Sequence, residues 1–322
     1  MKQFVIMLCF CLMLLSCISE TKIAETINLN VIPYNGTKID VDKYISVDDT
    51  TVLYIGDNVI SYNVRDACMD DSTIYVLDDQ NNIMAFDLSS GLMKCSVNKK
   101  GHGRGEYVKP VSISISDDIL YVLDFSQEAI LQYNKKMEFI KKIKIEFSIL
   151  VFLKIDGGFV FYDISPNKGL SVAVADENGV VKNRYTFNTE DFPEIMLSGK
   201  VFVRTDRGIF FHDMISDTLY ELIDNGVNPI AQIKDDNSDN KDYKMYRCFP
   251  LTNIIVTYYE SDRHVIGNIF DKQTNKSICG KFKSPHAYPI FPCIEKNTFL
   301  YGIYHQHDDK NQYILVKYRV ND

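Results

Sequence analysis

The residues best placed for binding chemistry are gathered in one loop, Gly101-His102-Gly103-Arg104-Gly105-Glu106-Tyr107. Alternating glycines let backbone N–H groups close around an anion, and an imidazole, a guanidinium, a carboxylate and a phenol are interleaved with them. A dinucleotide-binding loop of this composition needs a strand before it and a helix after it. Here strand patterns lie on both sides, so the loop reads as a connection between two β units, with His102, Arg104, Glu106 and Tyr107 as its first ligand contacts. Two other stretches have metal-like spacing. His305 and His307 alternate as same-face residues of a strand do, and imidazole suits zinc, but no third ligand accompanies them and Asp308-Asp309-Lys310-Asn311 reads as a hairpin tip. The acidic run from Asp235 to Asp242 begins like a calcium loop, yet Asn240 and Tyr246 stand where such a loop needs glycine and a bidentate glutamate. No cofactor is therefore predicted, with calcium or zinc the alternative. A Gly-x-Ser-x-Gly elbow and a His-Glu-x-x-His helix are both absent from the sequence, so no nucleophile is nominated.

The elements that must position these residues are strands. The chain is built of short runs rich in Val, Ile, Tyr, Phe and Thr, separated by Asp, Asn, Gly and Ser clusters, which is the pattern of many antiparallel strands. Tyr75-Val76-Leu77-Asp78 returns 46 residues later as Tyr121-Val122-Leu123-Asp124. Four strands in a period of about 40–50 residues define a propeller blade. The first unit is expected over 59–65, 73–77, 83–87 and 92–97, and the second over 111–116, 119–124, 130–133 and 139–145. Weaker copies fill 149–187, 200–233 and 245–282, and a sixth, from 289 to 320, is one strand short. An open edge leaves backbone groups unpaired, so an N-terminal strand is expected to complete the ring. Residues 51–55 are the favoured segment, which leaves 24–35 as tether or as an extra edge strand. The fold class is all-β, a six-bladed β-propeller of four-stranded antiparallel blades. Tyr62, Arg65, Arg204, Tyr246 and Arg247 fall on or near inner strands, and His286 and Tyr288 precede the innermost strand of the last blade. Such side chains either hold a sugar, peptide or small acid at the channel mouth by stacking and bidentate hydrogen bonds, or plug the channel.

The N-terminus carries an address. Lys2 is followed by an apolar run from Phe4 to Leu15 broken only by cysteine, which has the layout of a secretory signal peptide. The run is too short for a bilayer span, which needs about 20 apolar residues. Leu14-Leu15-Ser16-Cys17 is similar to a bacterial lipobox, in which the cysteine is acylated and heads the mature chain. Several acyl chains, each burying CH₂ groups at about 0.8 kcal/mol, hold a protein on a membrane. The expected division is a signal peptide over 1–16, lipidated Cys17 and a tether over 17–43, and the propeller over 44–322.

A formal net charge of −8, with no Lys/Arg block, argues against a nucleic-acid partner. Beyond the leader and Cys17, Cys68, Cys95, Cys248, Cys279 and Cys293 are widely spaced and odd in number. They favour buried thiols over a disulfide framework or a zinc cage.

Tryptophan is absent, against a WD repeat, and the Gly157-Gly158 pair is not repeated as kelch units require. The segments Ile74-Tyr75-Val76-Leu77-Asp78, Phe86-Asp87 before Gly91, the 101–107 loop followed by Pro110, and Ser216-Asp217-Thr218-Leu219-Tyr220-Glu221-Leu222 resemble the NHL-like group. With the lipobox, they look like the six-bladed propeller lipoproteins of Bacteroidetes-type bacteria. Arg104 departs from that pattern, in which proline is usual. The resemblance implies six blades around a channel, an outer-membrane anchor and no common activity. Glu20 is the acidic residue close behind Cys17, where surface export calls for an acidic run, so periplasmic and outward display both stay open. The functional expectation is a membrane-anchored envelope module that binds a protein, glycan or small polar ligand on one face. The alternative is a metal-dependent hydrolase or lyase with a divalent ion in the axial channel.

Overall fold

Both copies of Tyr-Val-Leu-Asp are second strands of neighbouring four-stranded sheets, Thr73–Asp78 and Ile119–Asp124, and every side chain in each copy is buried. That burial on both faces is why the two stretches read as continuous rather than alternating apolar runs. The structure, a computed structural model, describes residues 26–29, 38–40, 43–56, 63–147, 149–163, 170–187, 201–205, 207–213, 218–224, 226–235, 244–251, 253–261, 264–283, 294–296, 299–305 and 312–321.

The strands form six antiparallel four-stranded blades in a ring. Blade 1 is Val64–Met69, Thr73–Asp78, Ile83–Asp87 and Met93–Val97. Blade 2 is Pro110–Ser116, Ile119–Asp124, Ala129–Asn134 and Phe139–Lys144. Blades 3, 4 and 5 begin at Ile149–Ile155, Phe202–Thr205 and Lys244–Pro250, and blade 6 at Ile294–Lys296. The first strands of blades 6, 1, 2 and 3 approach one another in turn, and the first strand of blade 4 approaches that of blade 6.

Three N-terminal strands run around the outside. Strand β1 (Thr26–Leu29) pairs in parallel with the outermost strand of blade 4, Gly226–Asp235, and β2 (Lys38–Asp40) with that of blade 5, Lys276–Lys283. Strand β3 (Ile45–Tyr54) is the fourth strand of blade 6, antiparallel to Gln312–Val320. The ring is thus closed by the N-terminus, as the missing sixth-blade strand requires. The closing strand starts at Ile45 rather than at residue 51, because Asp48, in the middle of a polar run, is neutralised on the neighbouring strand by Lys317 at 2.8 Å and Arg319 at 2.5 Å.

The first strand of blade 1, Val64–Met69, overlaps the end of the expected 59–65, whose residues 59–62 lie outside the described residues. Asp66 at its centre looks like a strand breaker but is bonded across to blade 2, accepting from Ser112 Oγ and Ile113 N, each at 2.8 Å. In blade 4 the last strand, Gly226–Asp235, begins earlier than the expected residue 230, and Pro229 lies beside a register shift. A bulge tolerates its missing N–H.

The core is divided among the junctions between blades. Tyr75, Leu77, Tyr107, Val122 and Tyr133 fill the junction of blades 1 and 2; Tyr121, Phe152, Phe159 and Phe161 fill the next. Leu53, Val76, Phe86 and Tyr313 fill the junction where blade 6 meets blade 1. Each such side chain, fully buried, contributes about 1.5–3 kcal/mol, so blades are stable only as neighbours. Third strands end on Asp87, Asn134, Asp176 and Asp271, whose side-chain oxygens accept backbone N–H bonds from the turn that follows. These Asx turns are the physical content of the repeat. Cys68 and Cys248 are buried and Cys95 and Cys279 half-buried; Cys293 lies outside the described residues.

Candidate functional site at the junction of blades 1 and 2

The glycine-rich loop connects the outermost strand of blade 1 to the innermost strand of blade 2, and its backbone closes on itself. Tyr107 N donates to Lys99 O at 2.9 Å, and Gly101 N to Tyr107 O at 3.0 Å. Glu106 folds back so that its Oε2 accepts from Gly103 N at 2.9 Å. The N–H group that an external phosphate would seek is therefore answered by the loop's own carboxylate. Two glycines have steric reasons. At Gly101 (φ 154°) a Cβ would lie 2.1 Å from the Glu106 carboxylate, and at Gly105 (φ 71°) 2.6 Å from Phe139 Cβ.

Longer-range contacts pin the loop to both blades. Gln127 Nε2 donates to Gly101 O at 3.2 Å, Glu106 O at 2.9 Å and Asp124 Oδ2 at 2.9 Å. Asp124, fully buried, also accepts from the backbone N–H groups of Val108 at 2.6 Å, Lys109 at 3.1 Å, Ser126 at 3.0 Å and Gln127 at 3.3 Å. Tyr133 Oη donates to Gly105 O at 3.1 Å. Burial raises the Tyr107 and Tyr133 pKa values well above the ordinary phenol range, so both hydroxyls remain donors at every physiological pH.

The residues nominated from sequence are distributed as follows. His102 and Arg104 are exposed, and the Arg104 guanidinium lies 5.9 Å from the Phe139 ring centroid. Glu106 is half-buried and engaged within the loop. Tyr107, expected to touch a ligand, has no exposed surface; its hydroxyl is shared between Asn81 O at 2.9 Å and Val97 O at 2.8 Å. Arg65 acts as a clamp, donating to Pro110 O at 2.6 Å, Asn81 Oδ1 at 2.9 Å and Asp79 O at 2.9 Å. Arg204 lies toward the far end of its inner strand and donates to Lys154 O of blade 3 at 2.7 Å. Tyr246 and Arg247 belong to the inner strand of blade 5, where the register shifts between Met245 and Arg247. Tyr62, His286 and Tyr288 lie outside the described residues, as do His307 and most of the acidic run after Asp235. The structure thus places His102, Arg104 and Glu106 in one loop, Arg65 on the inner strand of blade 1 where it holds Pro110, and Arg204 in blade 4. Among the described residues no group of three or more His, Cys, Asp or Glu side chains could hold a metal ion.

Sequence reasoning missed Gln127 and Asp124 as the hub of this junction. The signal was present in the repeat itself. Asp78, Asp124, Asp163 and Asp213 each end the second strand of their blade and each is fully buried, so the last residue of Tyr-Val-Leu-Asp marks the turn that receives the connection. Gly105→Ala is expected to lower stability by about 2–4 kcal/mol, combining a left-handed backbone cost of about 1–2 kcal/mol with overpacking against Phe139. Urea unfolding should show it, while Gly157→Ala, where a Cβ meets nothing within 4 Å, should incur the backbone cost alone.

Fold and site together define a six-bladed β-propeller with a rigid connection on one face. The chain belongs to the family described as a domain of unknown function, DUF4934, whose model matches residues 26–322. It is similar in fold to a crystal structure from Bacteroides fragilis NCTC 9343 whose description suggests an exported protein, with a TM-score of 0.71 and 14% identity over 92% of this chain and 99% of that one. A member of the DUF4221 family from Bacteroides vulgatus ATCC 8482 is similar at a TM-score of 0.57 and 8% identity, over 87% of this chain and 99% of that one. At these identities the likeness is one of fold. No curated protein matches the sequence.

Proposed function

We propose that the chain is an exported, membrane-anchored binding module of the cell envelope, NHL-like in lineage, that takes a protein, glycan or small polar ligand on the face carrying the blade 1 to blade 2 connection. The observation that carries this reading is the loop itself. Its backbone is fixed by Gln127, Tyr133 and Glu106, and it still leaves His102 and Arg104 exposed. Preorganised polar side chains bind with less ordering cost than mobile ones. The signal-peptide layout and Cys17 support the anchor, through which the membrane itself is a partner, and the description of the Bacteroides fragilis structure supports export.

Mass spectrometry of the mature N-terminus should find an acylated Cys17, and Cys17→Ser should release the protein from the membrane fraction. Pull-down from envelope extract and a glycan array should yield a partner at micromolar affinity, weakened by His102→Ala with Arg104→Ala. An unmodified Cys17 together with no partner in either assay would overturn the reading.

A further inference from the structure

Blade 5 departs from the repeat on the face it turns toward blade 4. In blades 1, 2 and 3 the paired residues of the second and third strands that face the preceding blade are Val76 with Met84, Val122 with Leu131, and Phe161 with Ala173, all apolar and buried. Blade 5 has Thr257 with Asn268 in that place. The equivalence is set by register: Thr257 lies opposite Cys248, just past the register shift of its first strand, as Val76 lies opposite Ala67, just past the shift in blade 1. Cys248 packs in the junction of blades 4 and 5, which identifies the face. His212 adds a third polar side chain from the other wall of the same junction. It is buried opposite Leu219, a member of that cluster, where blades 1 and 2 have Leu77 and Leu123 one residue before the buried aspartate.

Thr257 and Asn268 have no exposed surface. Asn268 Oδ1 accepts from Ser277 Oγ at 2.8 Å, but neither Thr257 Oγ1 nor Asn268 Nδ2 meets a hydrogen-bond partner among the described residues. An unanswered polar atom opposes its own burial, and water would answer it. Parting the blades therefore costs less at this junction than at one walled by Val, Leu and Phe. Places where a sequence breaks its own packing rule are expected to be functional.

Blades 4 and 6 meet at the centre without blade 5 between them, the first strand of one approaching that of the other. The middle of the ring can therefore stay packed while blade 5 moves. On the outside, the same junction is crossed by the N-terminal segment. Strand β1 lies on blade 4 and β2 on blade 5, so the chain passes from one blade to the other between Leu29 and Lys38. Ile27, 4% exposed, joins the cluster that Leu219, Ala231 and Ile233 of blade 4 form with Ile255 and Ile266 of blade 5. It thus ties the two blades together from a strand only four residues long, and ordering so short a strand opposes its docking. Such a hold can be let go.

We infer that β1 is a strap across the junction of blades 4 and 5, and that its release opens this junction while the others stay shut. The polar row of blade 5 then meets water, and blades 1, 2 and 3 remain packed on one another. The device goes beyond the binding-module reading and does not need the anchor. With Cys17 anchored, Thr26 stands nine positions after it, and a load on the tether reaches β1 before any other described strand.

The test compares the full mature protein with Ile27→Asp, and with Thr257→Val combined with Asn268→Leu, by amide hydrogen exchange resolved to peptides. Ile27→Asp should speed exchange at least about tenfold across Ile254–Ser261 and His264–Asp271 of blade 5, and leave Thr73–Asp78 and Ile119–Asp124 of blades 1 and 2 unchanged. The double variant gives blade 5 the Val and Leu of blade 2. It should slow exchange in the same blade 5 peptides, and reverse most of the Ile27→Asp effect when the three changes are combined. Acceleration confined to Gly226–Asp235, the strand that β1 pairs with, would show that β1 covers an edge and straps nothing. Equal acceleration in every blade, an Ile27→Asp chain that exchanges like the parent, or faster blade 5 exchange in the double variant would likewise overturn the inference. A chain that opens at this junction yet captures no envelope partner would keep the strap and lose the binding module.

Discussion

A chain lacking residues 45–54 is expected to lose cooperative unfolding altogether. Strand β3 supplies the whole outer strand of blade 6, paired with Gln312–Val320 along its length. It brings Leu53 into the junction with blade 1 and Ile45 into the junction with blade 5, each essentially without exposed surface. Those two side chains alone account for about 3–6 kcal/mol. The ladder and the opened blade edge add to that against a total domain stability of about 5–15 kcal/mol. Near-ultraviolet circular dichroism on heating should show no sigmoidal transition. A cooperative transition within a few degrees of the parent would show that the ring does not depend on its closure. The single change Gly91→Ala probes the same seam more gently. Gly91 has φ 70° and a Cβ there would lie 2.0 Å from Val52 O, so the wedge would separate β3 from blade 1.

The second large effect is set by pH. His212 is 5% exposed, and burial holds its pKa down at about 4 from the ordinary value of 6.5. A histidine that resists protonation when folded but not when unfolded contributes stability that is complete above pH 6.5 and is lost between pH 6.5 and 4. The loss over that window is about 3 kcal/mol. Urea midpoints measured from pH 7.5 to 4 should fall accordingly, and His212→Gln should flatten that slope whatever it does to the midpoint at neutral pH. An identical slope in the variant would assign the effect elsewhere. Asp78 acts in the opposite sense, since burial raises its pKa and protonation then favours the fold as pH falls. Asp87 and Asp271 are held low chiefly by hydrogen bonds from their own turns, with Lys94 adding to them at Asp87, and Asp176 is held low chiefly by the Lys182 ammonium. Their contribution is present at neutral pH and disappears only at strongly acidic pH.

Blade number and ring closure were legible because burial on both faces of second strands writes itself into the sequence as Tyr-Val-Leu-Asp, and because a strand deficit has to be met from somewhere. Strand β1 was legible only as one of two alternatives for 24–35, the extra edge strand, and β2 was not predicted, since three residues in parallel pairing are too short to show any period. The start of β3 was hidden because Asp48 looks like turn chemistry until Lys317 and Arg319 are seen beside it. At the candidate site the loop was found and its ligand-facing residues were only partly sorted. Tyr107 looks like a surface aromatic in a polar loop, yet it is core, and nothing local distinguishes it from His102 five residues earlier. Gln127 escaped notice because its role depends on carbonyls more than 20 residues away in sequence.

The outer course of the N-terminal strands has a kinetic consequence. Asp48 and Arg319 are 271 residues apart and meet in the same blade, so the last strand of the ring must find one made long before it. Topologies dominated by such distant pairings fold slowly, and every partly made chain must keep Ile45, Leu53 and an unpaired strand edge from sticking to other chains until the end. The protein is therefore expected to depend on assistance, or on delay, between emergence of its first strand and arrival of its last.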